Sequence, residues 1–545
     1  DVVRFAESEG YEYDRHLPDA WRYRDYVIDS LNADKPFDRF LTEQLAGDEL
    51  DPSNPELQVA TTFHRLGPVR RNAGNPDIAL SRNEVLTERT DILGTAILGL
   101  TVGCARCHNH KLEPILQKDY YRLQAYLAAT DEHNISLASA EEQADWEVKT
   151  GKIKDEMKRL QELAKPLTGL EREKLEQRIA DLEDQLPAPL PTIPGTWNDF
   201  GRRTAIHVLR RGVWENKAEA VGPRPLSVLW PDDAAELPAD ESNPRTQLAA
   251  WLTVSDNPLT SRVAVNRLWQ GHFGLGIVKS ANDFGVRGDR PSHPELHDWL
   301  AAELVAHGWS QKRLHRLMVT SSVYRQRGWV QSPKSKVQGS ESNSTLNFEL
   351  GTTNPETADP ENRLLSHFTR RRLSAEELRD AMLAASGRLN LSAGGVSVMI
   401  PVEPELVQSL YKPSQWQVAA VPAEHHRRSI YLIAKRNLRL PFFETFDAPA
   451  LTTSCARRDT STHAPQALEL LNGRLSNELA AAFAERLARE ADSDPEKIVE
   501  RAFWLALGRA PTARERALAV EFLRDQPLRE FALAMFNLNG FLYVP

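Results

Sequence analysis

Ser81-Arg-Asn-Glu-Val-Leu-Thr-Glu-Arg-Thr-Asp-Ile-Leu-Gly-Thr-Ala-Ile-Leu-Gly-Leu-Thr-Val-Gly-Cys-Ala-Arg-Cys-His-Asn-His-Lys111 is the stretch from which the rest of the chain is read. It predicts a helix from about Ser81 to Leu100 that turns apolar over residues 92–100, as an element does when it passes from a surface into a pocket that excludes water. It then delivers Cys104-Ala-Arg-Cys107-His108. Cys-x-x-Cys-His is the attachment signature of a c-type haem. Two thiols three residues apart add across the vinyl groups, and the adjoining imidazole becomes the proximal iron ligand. The chain has three cysteines, and two fall in this pattern. One covalent haem c, held by Cys104, Cys107 and His108, is therefore the first expectation. Three other chemistries compete. A redox dithiol belongs at a strand-to-helix turn of a thioredoxin-like fold, and no such βαβ pattern surrounds the motif. Cys104, Cys107 and His110 supply three ligands of a zinc site. A structural disulfide is the third.

The 545-residue chain is too long for one ordinary core, so two to four domains are expected. Apolar and charged fractions of 41% and 26% are those of a soluble globular protein. The net charge of −9 is spread along the chain and argues against nucleic acid as the main partner. No apolar run reaches the length of a membrane span. The chain starts at Asp1 without a methionine. It reads as a mature or trimmed chain whose export signal lies upstream, and the haem motif implies a periplasmic or cell-surface location.

Periodicity predicts a mainly α, multi-helical, two-domain protein with minor β structure and an inserted antiparallel coiled-coil hairpin. Residues 1–140 form a helical haem domain. In it Trp21, Ile28 and Leu31 share one face, Asp34 is a cap, and Phe37, Phe40, Leu41 and Leu45 form the next stripe. Arg70-Arg-Asn-Ala-Gly-Asn-Pro76 reads as a polar loop, and Tyr120, Tyr121 and Tyr126 as haem-edge or core residues. Residues 141–195 carry heptad-like spacing at Ile153, Met157 and Leu160, and again at Leu175, Ile179, Leu182 and Leu186. They read as a charged helical hairpin closed by a stiff linker of Pro187, Pro189, Pro191 and Pro194. Residues 196–240 are a short β and loop connection, with Thr204–Leu209 alternating like a strand. Residues 241–545 are a mainly helical second domain. It is interrupted by a Ser-, Asn-, Thr- and Gly-rich insert over 328–358, and Ser429–Ala434 is a strand candidate.

With these features assembled, the chain resembles the planctomycete cytochrome c-associated proteins, in which two adjoining domains of unknown function follow an export signal. The first domain is matched by Trp21-Arg-Tyr-Arg-Asp25, Asp34-Lys-Pro-Phe-Asp38, Glu43-Gln-Leu-Ala-Gly-Asp48, Phe63-His-Arg65 and residues 99–111. The second is matched by Asn266-Arg-Leu-Trp269, His272-Phe-Gly274, Asn282-Asp-Phe-Gly285 and His293-Pro-Glu295, with further matches around residues 320–326, 370–373, 446–458 and 464–471. The resemblance implies an association with extracellular polysaccharide use.

An ordinary small cytochrome supplies a downstream methionine as second iron ligand. None of Met157, Met318, Met382, Met399 and Met535 lies in a convincing loop beside the motif. His64, at a helix end before Gly67-Pro68, is the leading distal ligand, which makes His108 and His64 the expected iron ligands. His110 is expected to touch a propionate or orient the pocket. The second domain contains no HExxH, P-loop, nucleophile elbow or dinucleotide fingerprint. Its polar residues at helix ends supply the catalytic candidates His272, Asp283, His293, Tyr324, Arg325, Asp447 and Arg458. A helical protein equally needs buried Arg–Asp pairs to tie its layers. The leading expectation is a haem-dependent redox enzyme that oxidises or epimerises a sugar between haem and second domain. An electron-transfer subunit is the runner-up. A non-redox carbohydrate-binding or scaffold protein, with a structural zinc or disulfide at the motif, is the third reading. The implied partners are a saccharide substrate and an electron-transfer partner.

Overall fold

The computed structural model describes residues 1–544 except 12, 70–77, 232–233, 239, 327, 329–358 and 360. The Arg70–Pro76 loop and almost all of the 328–358 insert lie outside the described residues. The protein is mainly helical, and the described sheets are three two-stranded antiparallel ribbons.

Aromatic side chains with polar tips decide how the first helices pack. Helix α1 (Trp21–Asn32) turns Tyr23, Tyr26 and Ser30 inward. The expected face of Trp21, Ile28 and Leu31 is not the buried one, and Leu31 is exposed. The tyrosines win because their hydroxyls have partners on helix α2 (Phe37–Leu50): Tyr23 donates to Gln44 at 2.6 Å and Tyr26 to Glu43 at 2.9 Å. Asp34 is a cap, but of a distant helix. With φ +53° it turns back, and its carboxylate accepts from Lys312 N (3.0 Å) and Ser310 Oγ (2.6 Å) at the start of helix α11 (Gln311–Thr320).

The first core joins α1, α2, helix α3 (Pro55–Ala60), helix α4 (Ile78–Ile92) and helix α5 (Gln117–Ala125). Tyr120, Tyr121 and Tyr126 are fully inside it. Helix α8 (Pro244–Thr253) also belongs to it, contributing Leu248, Trp251 and Leu252. Arg245 on α8 has no exposed surface and forks onto Asp48 at 2.7 and 2.6 Å. Helix α8 thus packs in the first core, and the seam between this core and the next falls after it.

Strand β1 (Thr130–Ser136) pairs in register with β2 (Thr192–Asn198), from Thr130↔Asn198 to Ser136↔Thr192. This ribbon is the base of the coiled-coil hairpin, helices α6 (Ala140–Ala164) and α7 (Leu170–Asp184), which buries Met157, Ala164 and Leu182 along a narrow seam. The proline-rich linker thus ends in a strand. Pro194 takes part by its carbonyl, which accepts from Thr62 Oγ1 at 3.0 Å, so its missing N–H costs little there. A second ribbon joins β3 (His207–Leu209) to β4 (Lys217–Ala220), within the stretch expected to alternate.

Beyond the seam, helix α9 (Thr260–Phe273), helix α10 (Pro294–Ala306) and α11 bury Val265, Trp269, Leu300, Leu304 and Leu314. Helices between residues 375 and 542 form a separate core around Phe483 and Phe536. An irregular cluster around Val398, Trp416 and Leu432 lies between. Ser429–Tyr431 there is a 3-10 turn, not the expected strand, because Asp380 captures Ser429 N and Oγ and only Leu432 bridges to Val398. Residues 1–20 are irregular rather than helical. They lie against this cluster through Glu7 N to Ala434 O (2.7 Å) and the buried Lys435–Asp14 pair (2.9 Å).

Candidate functional site

Helix α4 runs into a π-helical turn, Leu93–Leu98, and stops at Gly99, which has φ +60°. Only glycine fits there, since a Cβ would lie 2.8 Å from Val263 and 2.9 Å from the Phe284 ring. The chain then makes one 3-10 turn, Val102–Arg106, with Val102 and Ala105 buried. Cys104 is left exposed on it, with Cys107 at its C-terminal cap and His108 just beyond, both exposed. Neither thiol is in a disulfide.

The imidazoles of the motif differ in their commitments. His108 Nδ1 stands 2.6 Å from the carbonyl of Asn109. A carbonyl only accepts, so Nδ1 carries the proton and the lone pair is on Nε2, the arrangement found in metal-ligating histidines. His110 is used by its own loop: Nδ1 accepts from Leu112 N (3.2 Å) and Glu113 N (2.9 Å), and Nε2 donates to Thr101 Oγ1 (3.2 Å). It orients the loop and is spent as a zinc ligand. Among the described residues no cluster of three His, Cys, Asp or Glu side chains is placed to hold a metal ion. The residues present fit haem attachment: two free thiols on one turn and its cap, followed by an exposed imidazole of the right tautomer.

His64 is not brought to this turn. It is buried, its Nε2 donates to Leu45 O at 2.8 Å, and its ring packs on Phe63. Burial, together with Arg245 and Arg89, holds it neutral far below the usual histidine range. It is a core histidine, because the helix end on which it sits packs against α2, α3 and β2 rather than turning back over the motif.

Several residues that spacing alone does not single out shape the turn. Asp91 lies beneath it: a Cβ on Gly103 would meet Asp91 Oδ1 at 2.8 Å, and Tyr120 donates to the same oxygen at 3.1 Å. Burial pushes the Asp91 carboxyl up to about 6, against the pull of Tyr120 and Arg106. Gly212, with φ +71°, faces Cys107, whose Sγ would lie 2.7 Å from an added Cβ. Gln117 donates to Arg106 O (2.9 Å) and Leu209 O (2.7 Å) and so clamps the β3–β4 connection to the motif.

The second domain reaches the motif at one loop. Phe284 N donates to Gly99 O (2.7 Å), and Glu113 accepts from Val286 N (2.6 Å). Arg267 Nη2 donates to Thr95 O (3.0 Å) and Asn282 Oδ1 (2.9 Å). Asp283 belongs to this loop, where its carboxylate accepts from Gly285 N at 3.1 Å. The other six catalytic candidates stand elsewhere. His272 Nε2 meets His315 Nδ1 at 2.7 Å and packs edge-on to Tyr324, in the core of α9–α11; burial and His315 both lower its pKa. Arg325 is exposed nearby. His293 caps no N–H of α10 and contacts Ser292 at 3.0 Å. Asp447 is consumed by Arg372 and by Ser461 N (3.0 Å) and Oγ (2.6 Å). Arg458 forks onto Asp1 (2.7 and 2.9 Å) and also pairs with Glu376. Both line an open cavity of about 580 Å³ that also holds the free thiol Cys455. Of the seven, Asp283 is the one whose loop is shown among the described residues to bond to residues 99–113, through its neighbours Phe284 and Val286.

Comparison with known proteins finds two adjoining family models. One, PSCyt2, described as a protein of unknown function (DUF1549), matches residues 1–132. The other, PSD1, described as a protein of unknown function (DUF1553), matches residues 244–523. No curated protein and no solved structure matches the chain. The chain belongs to the DUF1553 family, with a DUF1549 domain at residues 1–132.

Proposed function

We propose that this chain is an exported c-type haem protein that exchanges electrons at the exposed Cys104–His108 turn, where its two domains meet. The observation that carries the reading is His108, held by the Asn109 carbonyl in the tautomer that leaves Nε2 free, directly after two unpaired thiols on one turn and its cap. Haem, when bound, supplies one-electron chemistry at iron. The chain supplies the two thiols, the proximal imidazole, and a rigid floor of Val102, Ala105 and Tyr121.

In its enzymatic form the protein oxidises or epimerises a saccharide, with the substrate lying where the 282–288 loop meets the motif loop. The resemblance to planctomycete cytochrome c-associated proteins supports a carbohydrate, and Asp283 is the polar side chain positioned to meet it. The carrier form, without a substrate of its own, is favoured by the scatter of the other six candidates. Haem-stained denaturing gels of the exported protein should show one covalent haem, and Cys104→Ala with Cys107→Ala should abolish the stain. A colourless protein binding stoichiometric zinc would end the haem reading. Sugar-dependent reduction of the haem would select the enzyme, and its absence across neutral and acidic saccharides the carrier.

A further inference from the structure

The surface around the motif carries a charge opposite to that of the whole chain. Arg106, Lys111, Arg210, Arg211 and Arg287 are all exposed; among the described residues none is in a salt bridge, while Arg106 interacts with Asp91 beneath the turn and with Cys107. Geometry ties them to the same turn. A Cβ on Gly212, next to Arg211, would lie 2.7 Å from Cys107 Sγ and 3.5 Å from Arg106 Nε. Arg287 follows Val286, whose N–H is held by Glu113 of the motif loop at 2.6 Å. Acidic groups are also present: Asp91 lies beneath the turn facing Arg106, Glu113 accepts from Val286 N, Glu219 faces Lys118 at 3.6 Å, Glu215 and Asp289 are exposed, and Asp283 is half-buried. The chain as a whole has a net charge of −9, so this concentration of cations is local.

The same segments carry the exposed apolar side chains Leu112, Leu116, Val213 and Val286. Exposed apolar side chains in the company of arginines are the composition of a protein–protein contact. The aromatic side chains of these segments offer a saccharide little open face to stack on: Trp214 is half-buried with Lys217 over its ring at 4.2 Å, and Phe284 is half-buried against Gly99.

We infer that Arg106, Lys111, Arg210, Arg211 and Arg287 form the docking surface for an acidic redox-partner protein, seated over the Cys104–His108 turn. The inference rests on the haem reading above and names the kind of partner that reading requires. Opposite charges close to the transfer site steer encounter more strongly than a distant net charge, because screening removes charges beyond about 8 to 10 Å at ordinary ionic strength.

The test uses the full chain, first shown by pyridine haemochrome to carry haem. Its oxidised form is mixed in stopped flow with reduced rubredoxin, a small acidic carrier, and separately with the cationic reductant hexaammineruthenium(II). Lowering the ionic strength from about 0.2 M to about 0.02 M should raise the rubredoxin rate roughly tenfold or more and slow or leave unchanged the ruthenium rate. Arg210→Glu with Arg211→Glu should abolish that rise without altering the haem spectrum or reduction potential, and Arg210→Lys with Arg211→Lys should restore it. A rubredoxin rate that falls as salt is removed, as the net charge of −9 alone dictates, overturns the inference and leaves the haem reading standing. So does a double glutamate variant with unchanged salt dependence. Retention on dextran sulfate through the same arginines, with a salt-independent rubredoxin rate, would overturn it in favour of an anionic polysaccharide. A colourless protein would remove both readings.

Discussion

Arg245 shows most sharply what one side chain does in this fold. Its side chain is the largest fully buried one among the described residues, and its partners come from α2 and β2: Asp48, Asn198 Oδ1 at 3.0 Å and the Leu45 carbonyl at 3.2 Å. Removing the guanidinium leaves Asp48 and Glu49 buried without compensation, which costs about 3 to 5 kcal/mol. Arg245→Ala should therefore lower the unfolding free energy of the first core, read from urea titration, by that amount, whereas a loss below about 1 kcal/mol would show that water reaches the pair. Gly212 makes a different residue-scale prediction. Its φ of +71° and its position against Cys107 leave no room for a side chain. Gly212→Val should lower the fraction of chains carrying covalent haem, measured by the ratio of haem to protein absorbance. The far-ultraviolet circular dichroism should stay unchanged.

At the scale of elements, the hairpin and the ribbon beneath it have separate roles. Among the described residues helices α6 and α7 bury three apolar side chains, half-bury Ile153, Leu160, Leu175 and Ile179 along the same seam, and expose most of the rest. Their tie to the second domain is Lys412 to Glu183 at 2.6 Å, both partly exposed, and such a pair is worth about 1 kcal/mol at most. Replacing residues 141–187 by a short Gly-Ser linker should leave haem attachment intact and cost little stability. Cutting back into β1 or β2 should not be tolerated, because Thr196 is fully buried and its N–H donates to Thr61 Oγ1 at 2.8 Å. Loss of folded protein from the shorter deletion would show that the hairpin is integral.

For the whole molecule, the N-terminal segment joins the first core to the irregular cluster of the second half. Glu7 is its anchor: it accepts from Ser397 Oγ at 2.7 Å and Ala434 N at 3.3 Å. Burial pushes its carboxyl up from an ordinary 4.5 to about 7, opposed by Ser397 and Arg24. A carboxyl that holds its proton more tightly when folded stabilises the fold fully below its unfolded pKa, and that contribution is lost as pH rises through the folded value. Stability should thus decline between pH 4.5 and 7 by on the order of 2 kcal/mol from this group. Glu7→Gln, which cannot ionise, should flatten the decline. Thermal unfolding followed across this range checks both, and a wild type equally stable at both ends would refute the assignment.

Much of the plan was legible in the amino-acid order. Heptad spacing exposed the hairpin, glycine and proline marked the helix ends, and Cys104-Ala-Arg-Cys107-His108 raised the haem reading proposed above, because each is a local pattern. The β1–β2 ribbon was hidden, since Thr-Asp-Glu-His-Asn-Ile-Ser carries no apolar alternation and is held by backbone pairing. The fates of His64 and Asp34 were hidden as well, for each depends on a partner far along the chain: the Leu45 carbonyl for one, the start of α11 for the other. The same holds for the dispersal of the seven polar candidates. Local sequence determined the helices, the hairpin and the motif. Which polar side chains meet was decided only in the tertiary structure, where burial makes an unpartnered charge or hydrogen-bond donor costly.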